Sequence, residues 1–125
     1  MKRAMMAVAV AAAALAGGQA MAQDAAAGKK VFNQCRACHV VDKEQNRVGP
    51  HLVGIVGRPV GSIDGYKYSS AMTGWGEGKT WTVEQLTEYL ADPKGVVPGT
   101  KMAYRGVKKE ADLANLIAYL EAPGS

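Results

Sequence analysis

The sequence predicts a small all-α domain in which three main helices are joined by long loops rich in glycine and proline, and three observations carry that expectation. Apolar residues recur at three- and four-residue steps in three stretches, each with helix-start signals at its head. Between the first and second, residues 40–81 hold Gly49-Pro50, Gly54, Gly57, Pro59, Gly61, Gly65, Gly74, Gly76 and Gly78, with no sustained alternation that would argue for strands. The third observation is a shortage. Two tryptophans, five tyrosines and one phenylalanine against 15 glycines let the side chains build only a thin core, and a domain of this size then needs a staple. A Cys35–Cys38 disulfide would close too small a loop to serve, because its entropic gain grows with loop length. Something larger is expected in the middle, and so long a loop, unusual in a compact domain, becomes reasonable if it wraps that object.

Residues 1–22 stand apart from the domain. Lys2 and Arg3 precede an apolar run from Met5 to Ala16, and Ala20-Met21-Ala22 has the small-residue pattern of a cleavage site, so a signal peptide cut after Ala22 is expected. Gly17, Gly18 and Gln19 break the run short of the ~20 apolar residues of a spanning helix, which argues against an uncleaved anchor. What remains, residues 23–125, is one domain. Without Lys2 and Arg3 the formal charge falls from +4 to +2, too mild to argue for nucleic acid.

Asp24 can cap a first helix from about Ala25 to Gln34, with Val31, Phe32 and Cys35 on one side and Lys29 and Lys30 facing water. A short helical turn is expected near Ser69 to Thr73. Thr82 opens the second main helix, its hydroxyl capping while Gln85 reaches back in a capping box. Val83, Leu86, Tyr89 and Leu90 make the apolar stripe, and Pro93 is expected to stop it. The third helix runs from about Lys109 to Glu121, with Leu113, Leu116, Ile117 and Leu120 in register and Glu110 and Asp112 at the positive end of its dipole. Pro123 and Gly124 close it.

The first helix delivers Cys35-Arg36-Ala37-Cys38-His39, and the chain has no other cysteine. CxxCH is the attachment signature of c-type haem: two thiols add to the porphyrin vinyl groups as thioethers, and the adjacent imidazole is held where it can bind iron. A thioredoxin-like redox pair would want the motif at a helix start after a strand, within a βαβ pattern that is missing. Zinc needs four ligands, and after cleavage the chain offers only Cys35, Cys38, His39 and His51, with His39 badly placed against Cys38.

The sixth position on the iron decides the chemistry, since methionine there favours electron transfer and an open site favours ligand binding or peroxide chemistry. Met1, Met5, Met6 and Met21 leave with the signal peptide, so Met72 and Met102 remain. Met102 lies in an irregular segment, Val97 to Met102, that can cross a haem face, whereas Met72 reads as a core gap-filler. His51 follows His39 by twelve residues behind the rigid Gly49-Pro50 corner, and reads as a surface or core histidine. A metal-bound imidazole donates its other N–H to a carbonyl, for which Pro50 is a candidate. Haem propionates need donors, and Arg58, Tyr68 and Trp81 are the candidate suppliers; the alternative for Arg58 is a solvated loop cation.

The ordered set of CxxCH, Gly49-Pro50, Gly57-Arg58, Trp81, Glu88-Tyr89-Leu90, Pro98-Gly99-Thr100-Lys101-Met102 and Ala118-Tyr119-Leu120 resembles the class I c-type cytochromes, mitochondrial cytochrome c and the short bacterial cytochrome c2 group, from Gly28 to Leu120. The resemblance implies the small cytochrome c fold around one covalently attached haem c. It also implies thioethers at Cys35 and Cys38, axial ligands His39 and Met102, and Pro50 as acceptor from the histidine. Arg58, Tyr68 and Trp81 would hold the inner propionate region, Tyr89 would lie by the methionine sulfur, and Thr100 would order the methionine loop. Gly28 and Phe32 would pack on Leu116 and Tyr119 where the first and last helices cross. Arg47, Lys94, Lys101, Lys108 and Lys109 fall where such proteins carry the cations that dock on acidic partners. This chain departs from the mitochondrial pattern at Gln34, where lysine is usual, at Asn46 in place of a histidine, and at Met72 in place of an asparagine.

The function these readings imply is a soluble, monomeric, periplasmic monohaem electron carrier, not an enzyme. Its partners would be transient acidic redox proteins: a bc-type complex, an oxidase, a reaction centre, or a dehydrogenase or reductase. The rival from another class is a haem-based small-ligand sensor or peroxidase with an open sixth site.

Overall fold

The computed structural model describes residues 23–123; the expected signal peptide and Gly124 lie outside the described residues. Helix α1 spans Ala25–Phe32. Asp24 stands in extended conformation before it, and its Oδ1 accepts from the N–H groups of Ala26 (2.9 Å) and Ala27 (3.2 Å), answering donors that a helix start leaves free. Lys29 and Lys30 are exposed as expected. The helix ends two residues earlier than the sequence suggests. From Asn33 the chain continues in turns, with Cys35 N–H on Phe32 O at 2.7 Å, then Cys38 and His39 N–H both on Cys35 O at 3.1 and 3.0 Å. These bonds coil the CxxCH segment into one tight turn.

Helix α2 (Ser70–Gly76) starts at Ser69, whose Oγ accepts from Met72 N–H at 3.0 Å. It runs past Thr73, where the expected turn ends. Helix α3 (Val83–Ala91) is capped by Thr82, whose Oγ1 accepts from Gln85 N–H at 3.1 Å. Only that half of the expected capping box forms, because Thr82 N–H is already bonded to Thr80 O at 2.8 Å. Pro93 does stand beyond the end of α3, yet it also opens a further turn, α4 (Pro93–Val96). Asp92 leaves the helical region and its Oδ1 takes the Gly95 N–H at 3.2 Å; proline is favoured at a first helical position, where no N–H is needed. Helix α5 (Glu110–Glu121) has no side-chain cap among the described residues, and Glu110 and Asp112 occupy its first turn.

α5 crosses α1 at close range. A Cβ on Gly28 would overlap the Asn115 carbonyl oxygen and lie 2.9 Å from Tyr119 Cβ, so the backbones meet where only glycine fits. Phe32 packs its ring 5.4 Å from that of Tyr119, and Asp24 N–H donates to Asn115 Oδ1 at 2.8 Å. α5 also packs on α3, and Leu86, Tyr89, Leu113, Leu116, Ile117 and Leu120 are buried.

Among the described residues there is no strand, and Pro59 and Thr80 form an isolated antiparallel bridge. Around it Gly57 N–H bonds Trp81 O (2.7 Å), Trp81 N–H bonds Arg58 O (2.8 Å) and Val60 N–H bonds Lys79 O (3.0 Å). Gly57 has φ +91°, a left-handed conformation that other residues adopt only with strain. This clasp shapes the long segment into a wall opposite the helices. The fold is the small all-helical one expected.

Candidate functional site

Between that wall and the helices lies a cavity of about 520 Å³, within the range of small-molecule and cofactor sites. Phe32, Leu86, Leu116 and Leu120 line it on the helical side. Cys35, Cys38, His39, Pro50, Arg58, Tyr68, Trp81, Tyr89, Thr100 and Met102 all reach it. Residues chosen from ten scattered positions thus share one apolar chamber. Met72, read as a core filler, is buried and also lines it. His51 does not: it is buried, and its Nδ1 accepts from Val53 N–H at 3.3 Å.

His39 is held from two sides. Its Nδ1 donates to Pro50 O at 2.8 Å, since a carbonyl can only accept, and Nε2 therefore keeps its lone pair. Gly49 lies flat against the ring; a Cβ there would stand 2.8 Å from Nδ1 and 2.9 Å from Nε2. Burial holds the His39 pKa below the ordinary histidine value, the Pro50 bond opposes this, and the Arg58 charge adds to it. The result is a neutral imidazole, the form a metal requires.

The Cys35 thiol is pushed up to about 11, by burial first and by Cys38 second. This pocket disfavours a thiolate. A thioether carries no charge and escapes that penalty, so the chemistry of the pair suits covalent capture.

Arg58 donates through Nη1 to His51 O (3.0 Å) and Val53 O (3.1 Å), while its Nε is buried with no partner among the described residues. An orphaned buried donor costs about 1–3 kcal/mol, more when it belongs to a charged group such as a guanidinium, and an acidic group entering the cavity would answer it. Burial lowers the Arg58 pKa and Tyr68 opposes the shift. The Tyr68 hydroxyl accepts from Ile63 N–H at 3.1 Å. Trp81 is buried in an aromatic cluster with Tyr89 (5.2 Å) and Trp75 (5.7 Å).

Met102 is partly buried. Tyr89 reaches its segment through Thr100: the two hydroxyls share a hydrogen bond of 2.7 Å, and Thr100 Oγ1 also receives Met102 N–H at 3.4 Å. Of the five expected docking cations, all are exposed. Lys101 alone lines the cavity, with Nζ on Lys67 O at 2.7 Å and 5.9 Å from the Tyr66 ring centroid. Lys108 Nζ donates to Ala91 O at 2.9 Å.

Three contributors escaped sequence reasoning. Gly49 was visible only as half of a Gly-Pro corner. Tyr66 lines the cavity, packs edge-on to Tyr68 at 4.9 Å and donates its hydroxyl to Val48 O at 3.1 Å. Tyr104 also lines it, and its hydroxyl donates to Gln34 Oε1 at 2.9 Å. Nothing in their local sequence distinguishes these tyrosines from surface ones, although Tyr104 follows Met102 by two positions, the spacing that places side chains on one side of an extended chain.

A neutral, oriented imidazole beside paired cysteines in an apolar chamber defines a domain of the haem-carrying class. The chain belongs to the cytochrome c family, whose family model matches residues 25–122. It is 48% identical over 98 residues to cytochrome c-550 of Nitrobacter winogradskyi, covering 78% of this chain and 88% of that one. Cytochrome c2 of Blastochloris viridis is 48% identical over 103 residues, covering 82% and 80%. Among solved structures, cytochrome cH from Methylobacterium extorquens superposes with a TM-score of 0.72 at 46% identity, covering 78% of this chain and 97% of that one. The cofactor is accordingly one covalently bound haem c, and the protein is an electron carrier rather than an enzyme.

Proposed function

We propose that residues 23–125 are released to the periplasm by cleavage after Ala22, bind haem through thioethers at Cys35 and Cys38, and carry single electrons with His39 and Met102 as axial ligands. One observation carries this reading: Cys35, Cys38, His39 and Met102 line the same cavity while the Pro50 carbonyl leaves His39 Nε2 free for a metal. When bound, the haem would supply a one-electron couple, its potential raised by methionine ligation. The chain's own residues do the rest. Pro50 fixes the imidazole tautomer, Thr100 and Tyr89 steady the methionine segment, and the unpaired Arg58 Nε, with Tyr68 and Trp81 beside it, supports a propionate. Apolar walls limit the rearrangement of water that would otherwise accompany each change of charge.

Partner recognition belongs to Arg47, Lys94, Lys101, Lys108 and Lys109, which would steer acidic surfaces toward the cavity mouth: a bc-type complex, an oxidase, a reaction centre, or a dehydrogenase or reductase. The bonds from Lys101 and Lys108 to carbonyls hold two of these charges in fixed positions. Among the described residues no helix is long and apolar enough to cross a membrane.

The test is spectroscopic. The ferric protein should have the weak near-infrared charge-transfer band of methionine-ligated haem, and its ferrous form should resist carbon monoxide. Met102→Ala should abolish the band and admit carbon monoxide; survival of the band in that variant would refute the ligation. Transfer to an acidic partner should slow as ionic strength rises, and a salt-independent rate would remove the steering claim.

A further inference from the structure

Inside Lys101–Gly106 no backbone group is hydrogen-bonded to another backbone group among the described residues. Pairing ends with Thr100 N–H on Val97 O (2.9 Å) and resumes with Val107 N–H on Leu90 O (2.8 Å). The intervening chain has no regular secondary structure, and its burial alternates: Thr100, Met102 and Tyr104 are partly buried, while Lys101, Ala103 and Arg105 are exposed. A segment with so few backbone bonds belongs to the part of a fold that opens most easily. Its attachment depends on side chains.

Three of them supply it. Thr100 shares its hydroxyl bond with Tyr89 of α3 (2.7 Å), Lys101 Nζ donates to Lys67 O (2.7 Å), and Tyr104 donates to Gln34 Oε1 (2.9 Å). Thr100 and Tyr104 stand two residues to either side of Met102 on its own face of the chain, so Met102 is bracketed. The far bracket crosses 70 positions of sequence to the residue directly before Cys35. It therefore joins the methionine segment to the cysteine turn over one margin of the cavity, which both residues line.

We propose that the Tyr104–Gln34 hydrogen bond is a latch that positions Met102, and that its strength sets how fast an outside ligand displaces that methionine. This rests on the reading of Met102 as axial ligand. Tyr104 is a positioning residue here: it acts through Met102 and need not touch the iron. One net neutral hydrogen bond between partly exposed groups corresponds to about a threefold to tenfold change in the open population. The Tyr89–Thr100 and Lys101–Lys67 bonds remain when the latch is removed, so the segment loosens without leaving.

The experiment uses the ferric holoprotein and imidazole, with the limiting rate of ligand replacement read at saturating imidazole, where segment opening governs. Tyr104→Phe keeps the ring and deletes the hydroxyl, and Gln34→Leu deletes the acceptor from an exposed position. Each should raise the limiting rate about threefold to tenfold, and the double variant should be no faster than the faster single, as expected for two ends of one interaction. Amide exchange at Val107 should quicken in Tyr104→Phe while that of Leu116 in α5 stays unchanged. An unchanged limiting rate, additive rates in the double variant, or equal acceleration at Leu116 would each overturn the latch. If the wild-type protein lacks the near-infrared methionine band, the ligation reading fails by itself. The latch is then judged on amide exchange alone, and unchanged exchange at Val107 overturns it.

Discussion

A Cβ at Gly49 would stand 2.8 Å from His39 Nδ1, well inside the 3.5–4.0 Å at which heavy atoms attract. The imidazole can lie beside Pro50 only because position 49 has no side chain. Gly49→Ala should therefore push the ring off the Pro50 carbonyl and destabilise the holoprotein by about 1–3 kcal/mol, measured by denaturant titration; an unchanged midpoint would contradict the packing argument. Tyr89 gives a pH prediction. Burial raises its phenol above the ordinary tyrosine value, and the Thr100 bond only opposes this. Because the folded pKa exceeds the unfolded one, near 10, its contribution is fully present below about pH 10 and is lost as pH rises through the folded value. Stability should fall above about pH 10, and Tyr89→Phe should flatten part of that slope; burial raises Tyr66 and Tyr104 in the same direction. An identical alkaline slope in Tyr89→Phe would exclude Tyr89 as a contributor. His39 was legible from its neighbours because covalent spacing puts an imidazole next to two thiols. Gly49 was not, since its role exists only once residues 38 and 49 are brought together by the Gly49 N–H to Cys38 O bond.

Among the elements, the crossing of α1 and α5 offers a test in which two effects have opposite signs. In an isolated helix, glycine to alanine is stabilising by up to about 1 kcal/mol. At Gly28 a Cβ would overlap the Asn115 carbonyl and crowd Tyr119 Cβ at 2.9 Å, and backbone cannot step aside as a side chain can. Gly28→Ala should thus destabilise by about 2–3 kcal/mol, read as a fall in denaturation midpoint, and any stabilisation would mean that the helices do not meet there. The starts of α1 and α3 were readable because a cap acts within three residues: Asp24 and Thr82 each accept where local chemistry demands. Helix α4 and the half-made capping box were not. Pro93 both follows α3 and opens α4, and the choice depends on Asp92 leaving the helical region; Thr82 N–H is taken by Thr80, which the Pro59–Thr80 bridge holds nearby.

For the whole molecule, the cavity of about 520 Å³ is the controlling quantity. At about 24 cal/mol per Å³ of unfilled volume the loss would reach roughly 12 kcal/mol, an upper figure because the mouth admits water. That is comparable with the 5–15 kcal/mol of net stability typical of a domain. The double variant Cys35→Ala/Cys38→Ala, unable to retain the cofactor covalently, should lack a cooperative thermal transition. A sharp calorimetric peak from haem-free material would show that the polypeptide has a sufficient core of its own. The shortage of aromatics in the composition anticipated this dependence, because core volume is a sum over residues and does not require knowing where each one sits.

By itself the sequence determined the all-α class, the starts of the three main helices, the family, the cofactor and the candidate ligands, all of which depend on residues a few positions apart or on the order of short motifs. The tertiary structure alone decided that Gly49 backs the imidazole, that Arg58 keeps an unanswered Nε, and that Tyr104 reaches Gln34. Those contacts depend on distances between remote segments, which arise only when the helices pack and the long loop closes over the cavity.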